Sequence, residues 1–493
     1  MIDVRINPFS SVVRPALAGG VGAVSAAHPL AVTAAQDMLQ AGGSAVDAAI
    51  AAQAVIAVVA PDAAGLGGDG FYLVRTPDRA VHAVNGAGRT GRALAEGPTG
   101  PAAAVTVSGL VAAWGDLSRS WGRLSLAQVL APAIRLARMG IRIDRGLADS
   151  VTAQRRRLLT GGAERWPLLH LGEGAHWEQP ELAATLDQLA KAGSQYFYRG
   201  AFANRIAATI QRHGGSLDAQ DFANHASVRE RPLALDWGGL TVHVQPPASQ
   251  GILLLMALQG LERLGPLDPA LRDHAAIELI GSIFEHRHRV GEGAALLELE
   301  HQINFAQASN RAGPRAYLHT AGVCCADADG MVVSSLMSVF DDFGSAVFVP
   351  EGGFVLNNRA DGFTATPNDL APDKAPIHTL APIMVSDDRL CLGLATPGAD
   401  GQVQTLLQVL CACVADELDL AAAIHRPRWR SENGLLLIET GHALADALAK
   451  RGHKIQAMAF GDMRAGSVMS AGFLQDMPFA VADWRRHGWS GIA

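Results

Sequence analysis

The chain has 493 residues, of which 49% are hydrophobic and 18% charged, so it has enough apolar material for a sizeable core. Its net charge is −7 and it has no dense block of lysine and arginine. Because phosphate binding needs clustered cations, these values argue against a nucleic-acid or membrane-surface partner.

The N-terminal segment MIDVRINPFSSVVRPALAGG lacks the basic start and continuous apolar run of a signal peptide, which favours a cytoplasmic location. The longest apolar run, Ala48 to Pro61, is too short to span a bilayer and ends at a proline, so a buried helix is predicted there. The 5 cysteines are an odd number without metal-ligand spacing. We expect all of them to be free thiols in or near the core.

Helical patterns dominate the first part of the chain. Glycine stops and a capping box at Ser44 and Asp47 delimit the first two helices. Helices are predicted at 28–41 and 44–59, within 105–143 and 181–214, at 251–264 and at 402–417, and strands at 71–75 and 240–245. From Gly322 onward strands prevail, predicted at 323–326, 331–339, 346–349, 354–356, 383–386 and 390–394. No linker separates the two parts, which predicts one α+β or sandwich unit whose halves interlock.

The segment from Gly65 to Gly70 matches the letters of a dinucleotide-binding fingerprint. In that fingerprint the glycines follow a strand and open a helix. Here a helix precedes them and a strand follows. The sequence therefore predicts a glycine turn that allows close backbone approach rather than a nucleotide site.

The segment HRHRV, from His286 to Val290, contains two histidines separated by one residue. Residues at that spacing do not share a helix face, so a polar helix end is predicted and not a metal site. No G-x-S-x-G motif is present, which gives no support to an α/β-hydrolase. The sequence predicts neither a metal nor a cofactor.

The stretch YLHTAGVCCADADGMVVSSLM places Thr320 at the mouth of a predicted hairpin whose turn is Asp327 to Gly330. A threonine hydroxyl is a competent nucleophile when its own α-amine serves as the base. That arrangement requires cleavage of the chain between His319 and Thr320. From these letters alone, an ordinary threonine at a strand entry is the alternative.

Several other segments occur in the order typical of one family. These are AAHPLAVTAAQDMLQAGGSAVDAAIAA, PDAAGLGGDGF, LSLAQVLAPAIRLARMGI, YFYRG, PPASQGI and FGSAVFVPEGGFVLNN. On these segments the chain resembles the γ-glutamyltranspeptidase family of N-terminal-nucleophile hydrolases along nearly its whole length. The resemblance implies a four-layer αββα sandwich and an autocatalytic proenzyme, with residues 1–319 and 320–493 as interlocked large and small subunits.

The resemblance also implies roles for particular residues. Thr320 falls on the nucleophile, and Ser338 on a second hydroxyl residue that supports it. Gly398 and Ala399 fall on the pair whose N–H groups form the oxyanion hole, a role that an alanine can fill if its backbone angles can be met. After the nucleophile, Ala321-Gly322 replaces the Thr-His of the family.

The family's clamp for a substrate α-carboxylate is altered in this chain. Its arginine position is Ala87, with Arg89 two residues further on, and its Ser-Ser pair is His378-Thr379. The resemblance therefore implies Arg89, His378 and Thr379 as substrate-binding residues.

The family's binding site for a substrate ammonium is also replaced. The corresponding positions are Phe340, Arg359 and Gly362. A guanidinium and a phenyl ring disfavour an ammonium, and the guanidinium favours a carboxylate. An alternative is that Arg359 pairs with Asp341, Asp342 or Asp361 and is purely structural.

We therefore expect a self-processing threonine amidohydrolase acting on a small carboxylate-bearing compound such as oxamate or an oxalyl amide, with Phe340 shortening the pocket. Three other hypotheses stay open. One is γ-glutamyl transfer or glutathione hydrolysis with Arg89 as a substitute clamp. The second is an acylase of the glutaryl or cephalosporin type, and the third is an unprocessed, non-enzymatic relative.

Overall fold

The structure is a computed structural model that describes residue 2 and residues 14–94, 99–313 and 320–493. Within these ranges, no helix is long and apolar enough to cross a membrane.

Antiparallel pairing dominates the strands. They are β1 Leu17–Ala18, β2 Gly22–Ala26, β3 Asp69–Arg75, β4 Val81–Gly86, β5 Ile141–Arg142, β6 His176–Trp177, β7 Val228–Glu230, β8 Leu233–Trp237, β9 Leu240–Val244, β10 Ala321–Asp327, β11 Val332–Ser338, β12 Phe348–Val349, β13 Phe354–Val355, β14 Ile383–Ser386, β15 Leu390–Ala395, β16 Trp429–Glu432, β17 Leu435–Glu439, β18 Ile455–Met458, β19 Met469–Leu474, β20 Met477–Ala482 and β21 Trp489–Ile492.

The helices cover the outer faces of the sheets. They are α1 Pro29–Gln40, α2 Ala45–Val59, α3 Leu110–Trp121, α4 Leu126–Met139, α5 Arg145–Thr160, α6 Pro180–Ala192, α7 Gln195–Tyr198, α8 Gly200–Arg212, α9 Ala219–Asn224, α10 Gly251–Leu264, α11 Pro269–Phe284, α12 Gly401–Val414, α13 Leu420–His425 and α14 Ala445–Lys450.

Two seven-stranded sheets form the centre of the molecule. The first has the order β1-β20-β19-β15-β14-β9-β8 and the second the order β21-β2-β10-β11-β3-β4-β7. Each sheet contains strands from before and after residue 320.

The core consists of three packed interfaces: one between the two sheets, and one between each sheet and its helices. Successive residues of β10 contribute to two of them, because neighbouring side chains point to opposite faces of a strand. Cys324 packs between the two sheets with Leu336 and Met469, whereas Cys325 packs toward helices α1 and α2. Helices α10, α11 and α12 pack on the outer face of the first sheet. The result is the four-layer αββα sandwich, and all five cysteines are buried in the core as predicted.

Several predicted elements are confirmed, and the predicted capping box at Ser44 and Asp47 opens α2. The region 105–143, predicted to contain helix, holds two helices, α3 and α4, after a non-helical segment. The short strands β16 to β21 are absent from the sequence prediction. Two of their pairs, β16–β17 and β19–β20, are hairpins between neighbouring segments, whereas β21 pairs with the distant β2.

The glycine turn before β3 is a point of close backbone approach, as predicted. A Cβ on Gly67 would lie 2.0 Å from the Val355 carbonyl oxygen, and one on Gly68 would lie 2.4 Å from the Ser338 carbonyl oxygen. Both distances are far inside van der Waals contact. Only glycine therefore lets this turn pack against the end of β11.

We predict that Gly67→Ala destabilises the fold by about 1–3 kcal/mol, because the added methyl group overlaps the main chain near β13. Gly65→Ala is the matched control, since a Cβ there meets nothing within 4 Å. Urea denaturation of both variants measures the difference. Equal free energies of unfolding for the two variants would contradict the close-approach explanation.

Candidate active site

Three adjacent strands of the second sheet end at one edge of the sandwich. Ser338, the last residue of β11, pairs with Asp69, the first residue of β3. Ala321 pairs with Met337, so Thr320 lies beside Ser338 when the same register is continued by one residue. Residues opposite each other in a ladder share a face. Thr320, Ser338 and Asp69 therefore form a row that faces the space between the sheets.

The hydroxyls of the row are in contact. The Thr320 hydroxyl donates to Ser338 Oγ across 3.4 Å, and Thr320 is 7% exposed. The N–H of Phe340 donates to the same Ser338 Oγ at 2.9 Å. Ser338 is therefore positioned to support the Thr320 hydroxyl, and the turn after β11 orients Ser338 in its place.

Asp69 is the centre of a buried polar cluster. Its Oδ2 accepts from Arg359 Nε and from His378 Nε2, each at 3.1 Å, and its Oδ1 accepts from the Gly88 N–H at 3.4 Å. Asp69, Arg359 and His378 are all 0% exposed. Both carboxylate oxygens of Asp69 are thus engaged.

The cluster sets the charge of its members. Burial alone would raise the pKa of Asp69, but the hydrogen bonds and charges from His378 and Arg359 outweigh it and hold that pKa below its usual value. Burial, followed by the Arg359 charge, lowers the pKa of His378 to about 3. His378 is therefore neutral: its Nε2–H donates to Asp69, while its Nδ1 accepts from the Leu380 N–H at 3.2 Å.

Among the described residues, Arg359 forms a side-chain hydrogen bond through only one of its three guanidinium nitrogens. Its Nε pairs with Asp69, whereas Nη1 and Nη2 are buried and have no hydrogen-bond partner among the described residues. The Phe340 ring lies over the guanidinium with 4.4 Å between the Arg359 Cζ and the ring centroid. The proposed ion pair of Arg359 with Asp341, Asp342 or Asp361 is wrong, because Asp69 takes that place.

The acids near Arg359 in sequence have other partners. Asn358 Nδ2 donates to both Asp341 and Asp361 at 2.8 Å. Arg359 opens a 3-10 turn, and its N–H donates to the Asn357 side chain at 3.0 Å. This turn directs the Arg359 side chain inward, away from those acids and toward β3.

Gly398 and Ala399 lie between β15 and α12. Both have positive φ angles, 126° and 49°, and their carbonyls accept from the N–H groups of Gly401 and Gln402. Their own N–H groups donate to no backbone carbonyl of the described residues. Ala399 adopts the left-handed region at a cost of about 1 kcal/mol relative to glycine.

Gln250 joins two segments of the site. Its Nε2 donates to the carbonyls of Thr379 and Ala399 at 2.8 and 2.9 Å, and its N–H donates to the His378 carbonyl at 2.9 Å. Gln250 is 0% exposed and precedes α10. It therefore fixes the His378-Thr379 segment relative to the Gly398-Ala399 turn.

Arg287 contacts the same turn from the HRHRV segment. Its Nε donates to Asp400 Oδ1 at 2.9 Å, next to Ala399. The segment begins just after α11 ends at Phe284 and continues into 3-10 turns that a kink at Gly293 divides, whereas the sequence predicts a polar helix end. The two histidines of HRHRV are the conspicuous residues in the sequence, but the arginine between them is the one that reaches the site.

Arg89 is separate from the buried cluster. It is exposed, and its Nη1 donates to the Asp373 carbonyl at 2.7 Å. Thr379 is buried, with its carbonyl on Gln250. His378, expected to present a donor to substrate, gives that donor to Asp69 instead. His319 lies outside the described residues.

Two residues that organise the site were not predicted from the sequence. Asp69 lies in the segment PDAAGLGGDGF, but a single acid within a glycine turn gives no sign of its partners 290 and 309 residues away. Gln250 lies in PPASQGI and likewise acts through distant carbonyls. Only the fold brings these pairs together.

The αββα architecture is the one found in N-terminal-nucleophile hydrolases. Residues 31–492 match the family profile described as gamma-glutamyltranspeptidase. The chain belongs to the γ-glutamyltranspeptidase family, whose members are amidohydrolases acting on amide bonds.

Individual relatives differ in their described activities. The chain is 34% identical over 449 residues to the oxamate amidohydrolase proenzyme of Klebsiella pneumoniae, covering 83% of this chain and 84% of that protein. It is 32% identical to a glutathione hydrolase-like proenzyme of Bacillus subtilis, covering 82% and 83%. A cephalosporin acylase structure from Bacillus halodurans superposes with a TM-score of 0.85 and 27% identity, covering 99% of both chains.

We predict that His378 makes stability fall in mild acid. Its pKa is about 3 in the folded state and 6.5 for an unperturbed histidine, so below pH 6.5 only the unfolded chain gains the proton. Each pH unit then costs the folded state about 1.4 kcal/mol. The His378→Gln variant lacks this contribution. The free energy of unfolding of the wild type should therefore fall by about 2 kcal/mol more than that of the variant between pH 6.5 and 5. Urea denaturation across that range measures it. If the difference in free energy of unfolding between the wild type and His378→Gln did not change with pH, the neutral buried imidazole would be contradicted.

Proposed function

We propose that the chain is a self-cleaving threonine amidohydrolase that acts on a small carboxylate-bearing amide, such as oxamate or an oxalyl amide. The observation that carries this proposal is the buried guanidinium of Arg359, whose Nη1 and Nη2 have no partner among the described residues. A buried charged donor left unsatisfied is costly. A substrate carboxylate would supply two parallel hydrogen bonds to these two nitrogens.

The position of Arg359 suits this role. Its Nε is held by Asp69, which lies two strands away from Thr320 in the same row. Neighbouring strands are about 4.8 Å apart, so the row from Thr320 to Asp69 spans roughly 10 Å. In the proposal, Nη1 and Nη2 extend from Asp69 along this row toward Thr320, so that a short substrate bound to them reaches the Thr320 hydroxyl.

The same cluster disfavours a γ-glutamyl substrate. Recognition of its ammonium needs a carboxylate whose charge is available, and the charge of Asp69 is already offset by its ion pair with Arg359. An ammonium placed here would also face the Arg359 charge. Exposed Arg89, bonded to the Asp373 carbonyl, gives no observation in favour of a substitute clamp.

Maturation would begin with attack of the Thr320 hydroxyl on the His319 carbonyl. The acyl group moves from nitrogen to oxygen, which frees the Thr320 α-amine and leaves an ester. Water then opens the ester and yields residues 1–319 and 320–493. Because both sheets mix strands from the two parts, the subunits would stay together after cleavage.

In turnover, the Thr320 α-amine would take the hydroxyl proton as the oxygen attacks the substrate amide. The negative charge on the carbonyl oxygen would be stabilised by the N–H groups of Gly398 and Ala399. The proton passes to the leaving amine as the C–N bond breaks, and water hydrolyses the resulting ester. Ser338 supports the nucleophile through its contact with the Thr320 hydroxyl.

Phe340 favours a compact acyl group. Its ring covers the Arg359 guanidinium, and its φ of 86° lies in a region that bulky residues rarely adopt. Such strain persists where surrounding structure holds it, often at a functional site. The ring occupies space that a longer acyl chain would need beside the arginine.

A second candidate is an acylase for a longer carboxylate-bearing acyl chain. The full-length similarity to the cephalosporin acylase structure favours it. Hydrolysis of oxamate, succinamate and glutaramate, read as kcat/KM for released ammonia, separates the two candidates. The shortest amide should be the best substrate if Phe340 limits the pocket, and glutaramate if it does not.

We predict that the purified protein yields a new N-terminus at Thr320 and that Thr320→Ala stays a single chain. Thr320→Ser should still cleave, because a hydroxyl remains. Denaturing electrophoresis with N-terminal sequencing measures this. A different terminus, or an intact chain with amidase activity, would overturn the nucleophile assignment, and an intact inactive wild type would support the non-enzymatic relative.

We predict that Arg359→Gln leaves self-cleavage intact but lowers kcat/KM for oxamate by roughly 30-fold or more, because a buried charge pair with substrate is lost. Arg89→Gln is the matched control and should keep near wild-type kcat/KM. If Arg359→Gln hydrolyses the anionic amide normally, the clamp is not Arg359. A fall in kcat/KM that occurs in Arg89→Gln but not in Arg359→Gln would favour Arg89 as the substitute clamp and γ-glutamyl chemistry.

A further inference from the structure

A second group of titratable side chains lies far along the chain from the row at Thr320. His274 and Glu278 are four residues apart on α11, and His453 precedes β18. Their exposures are 0%, 3% and 7%. One ligand atom from each lies within 4.8 Å of the others, and His274 Nδ1 is 2.8 Å from His453 Nε2.

Hydrogen bonds around the group orient its lone pairs. His274 Nε2 must donate to the Asn304 carbonyl at 2.7 Å, so Nδ1 carries a lone pair toward the cluster. Glu278 Oε1 accepts from the Ser309 N–H at 3.0 Å. Histidine and carboxylate metal ligands are typically held by such outer contacts.

The group contains a buried carboxylate, that of Glu278. Within the described ranges, no lysine or arginine forms a salt bridge with the Glu278 carboxylate. Arg311 contacts only the Glu278 backbone carbonyl and pairs with Glu285 instead. Buried carboxylates are normally paired with a cation or coordinate a metal.

We propose that His274, Glu278 and His453 form a divalent transition-metal site, with zinc as the ion that this set of two imidazoles and one carboxylate suits. Ligand atoms of a tetrahedral zinc site are about 3.3 Å apart, so the two histidines would separate by about 0.5 Å on binding. His453 would carry its proton on Nδ1 in the bound state, and water would complete the coordination.

The site would connect parts of the chain that cleavage separates. His274, Glu278 and the segment holding Asn304 and Ser309 come from before residue 320, whereas His453 comes from after it. The ion would therefore link the end of the large subunit to the small one. The sequence predicts no metal, because a spacing of 179 residues between the two histidines is invisible without the fold.

The test uses the full-length protein, stripped with a chelator and then supplied with zinc. We expect about one zinc per chain by elemental analysis and a higher Tm on adding zinc. Glu278→Gln and His453→Gln keep neutral hydrogen-bonding groups and should weaken zinc binding at least tenfold. Exposed Glu285→Gln is the matched control and should bind zinc like the wild type.

The opposing explanation is a purely hydrogen-bonded cluster. Glu278→Gln then keeps the Ser309 bond, removes a buried charge and leaves Tm unchanged or higher. Substoichiometric zinc in the wild type, or the same zinc-dependent Tm shift in the wild type and both ligand variants, would overturn the proposal. These readouts do not depend on activity, so the outcome is independent of the proposed hydrolase function.

Discussion

The rest of the site depends on one buried carboxylate, Asp69, that accepts from Arg359 and His378 at the same oxygen. A lone buried cation would carry a large desolvation cost, so Arg359 can remain in the interior because Asp69 offsets its charge. Arg359 bonds to Asp69 through Nε, so its two terminal nitrogens, Nη1 and Nη2, remain for another group. Asp69 thus positions the guanidinium and also keeps His378 in one neutral tautomer.

That carboxylate is placed by the register of the second sheet. The β3–β11 pairing sets Asp69 opposite Ser338, and Ser338 contacts Thr320. The glycines before β3 allow the turn to approach the main chain of β11 and β13. A one-residue slip of β3 against β11 would turn Asp69 to the helix-covered face, so the ladder and the turn jointly determine the geometry of the site.

Two departures from ordinary backbone geometry flank this row. Phe340 has a φ of 86° and Ala399 a φ of 49°. Each side-chain-bearing residue costs of order 1–3 kcal/mol in such regions. The first places a ring over Arg359, and the second presents N–H groups in front of the α12 N-terminus, where the helix dipole also favours negative charge. In the proposed mechanism, both positions serve anion binding.

The sequence by itself determined the helices with clear caps, the hairpin at Thr320 and, through ordered family segments, the αββα class. Those features depend on local periodicity, turn chemistry and short motifs, which the chain carries in contiguous residues. The resemblance to the family also indicated from the sequence that Arg359 takes the place of an ammonium acceptor. The partner of Arg359 was not indicated, since Asp341 and Asp361 are nearer in sequence but bond to Asn358.

Only the tertiary structure decided which distant groups meet. It joined Asp69 to residues 290 and 309 positions away, turned the His378 donor inward, and brought Gln250 to the Ala399 turn. It also gathered His274, Glu278 and His453 into one buried cluster. The physical reason is that sheet register and helix packing set these contacts, and burial then makes each unpaired charge costly enough to select its partner.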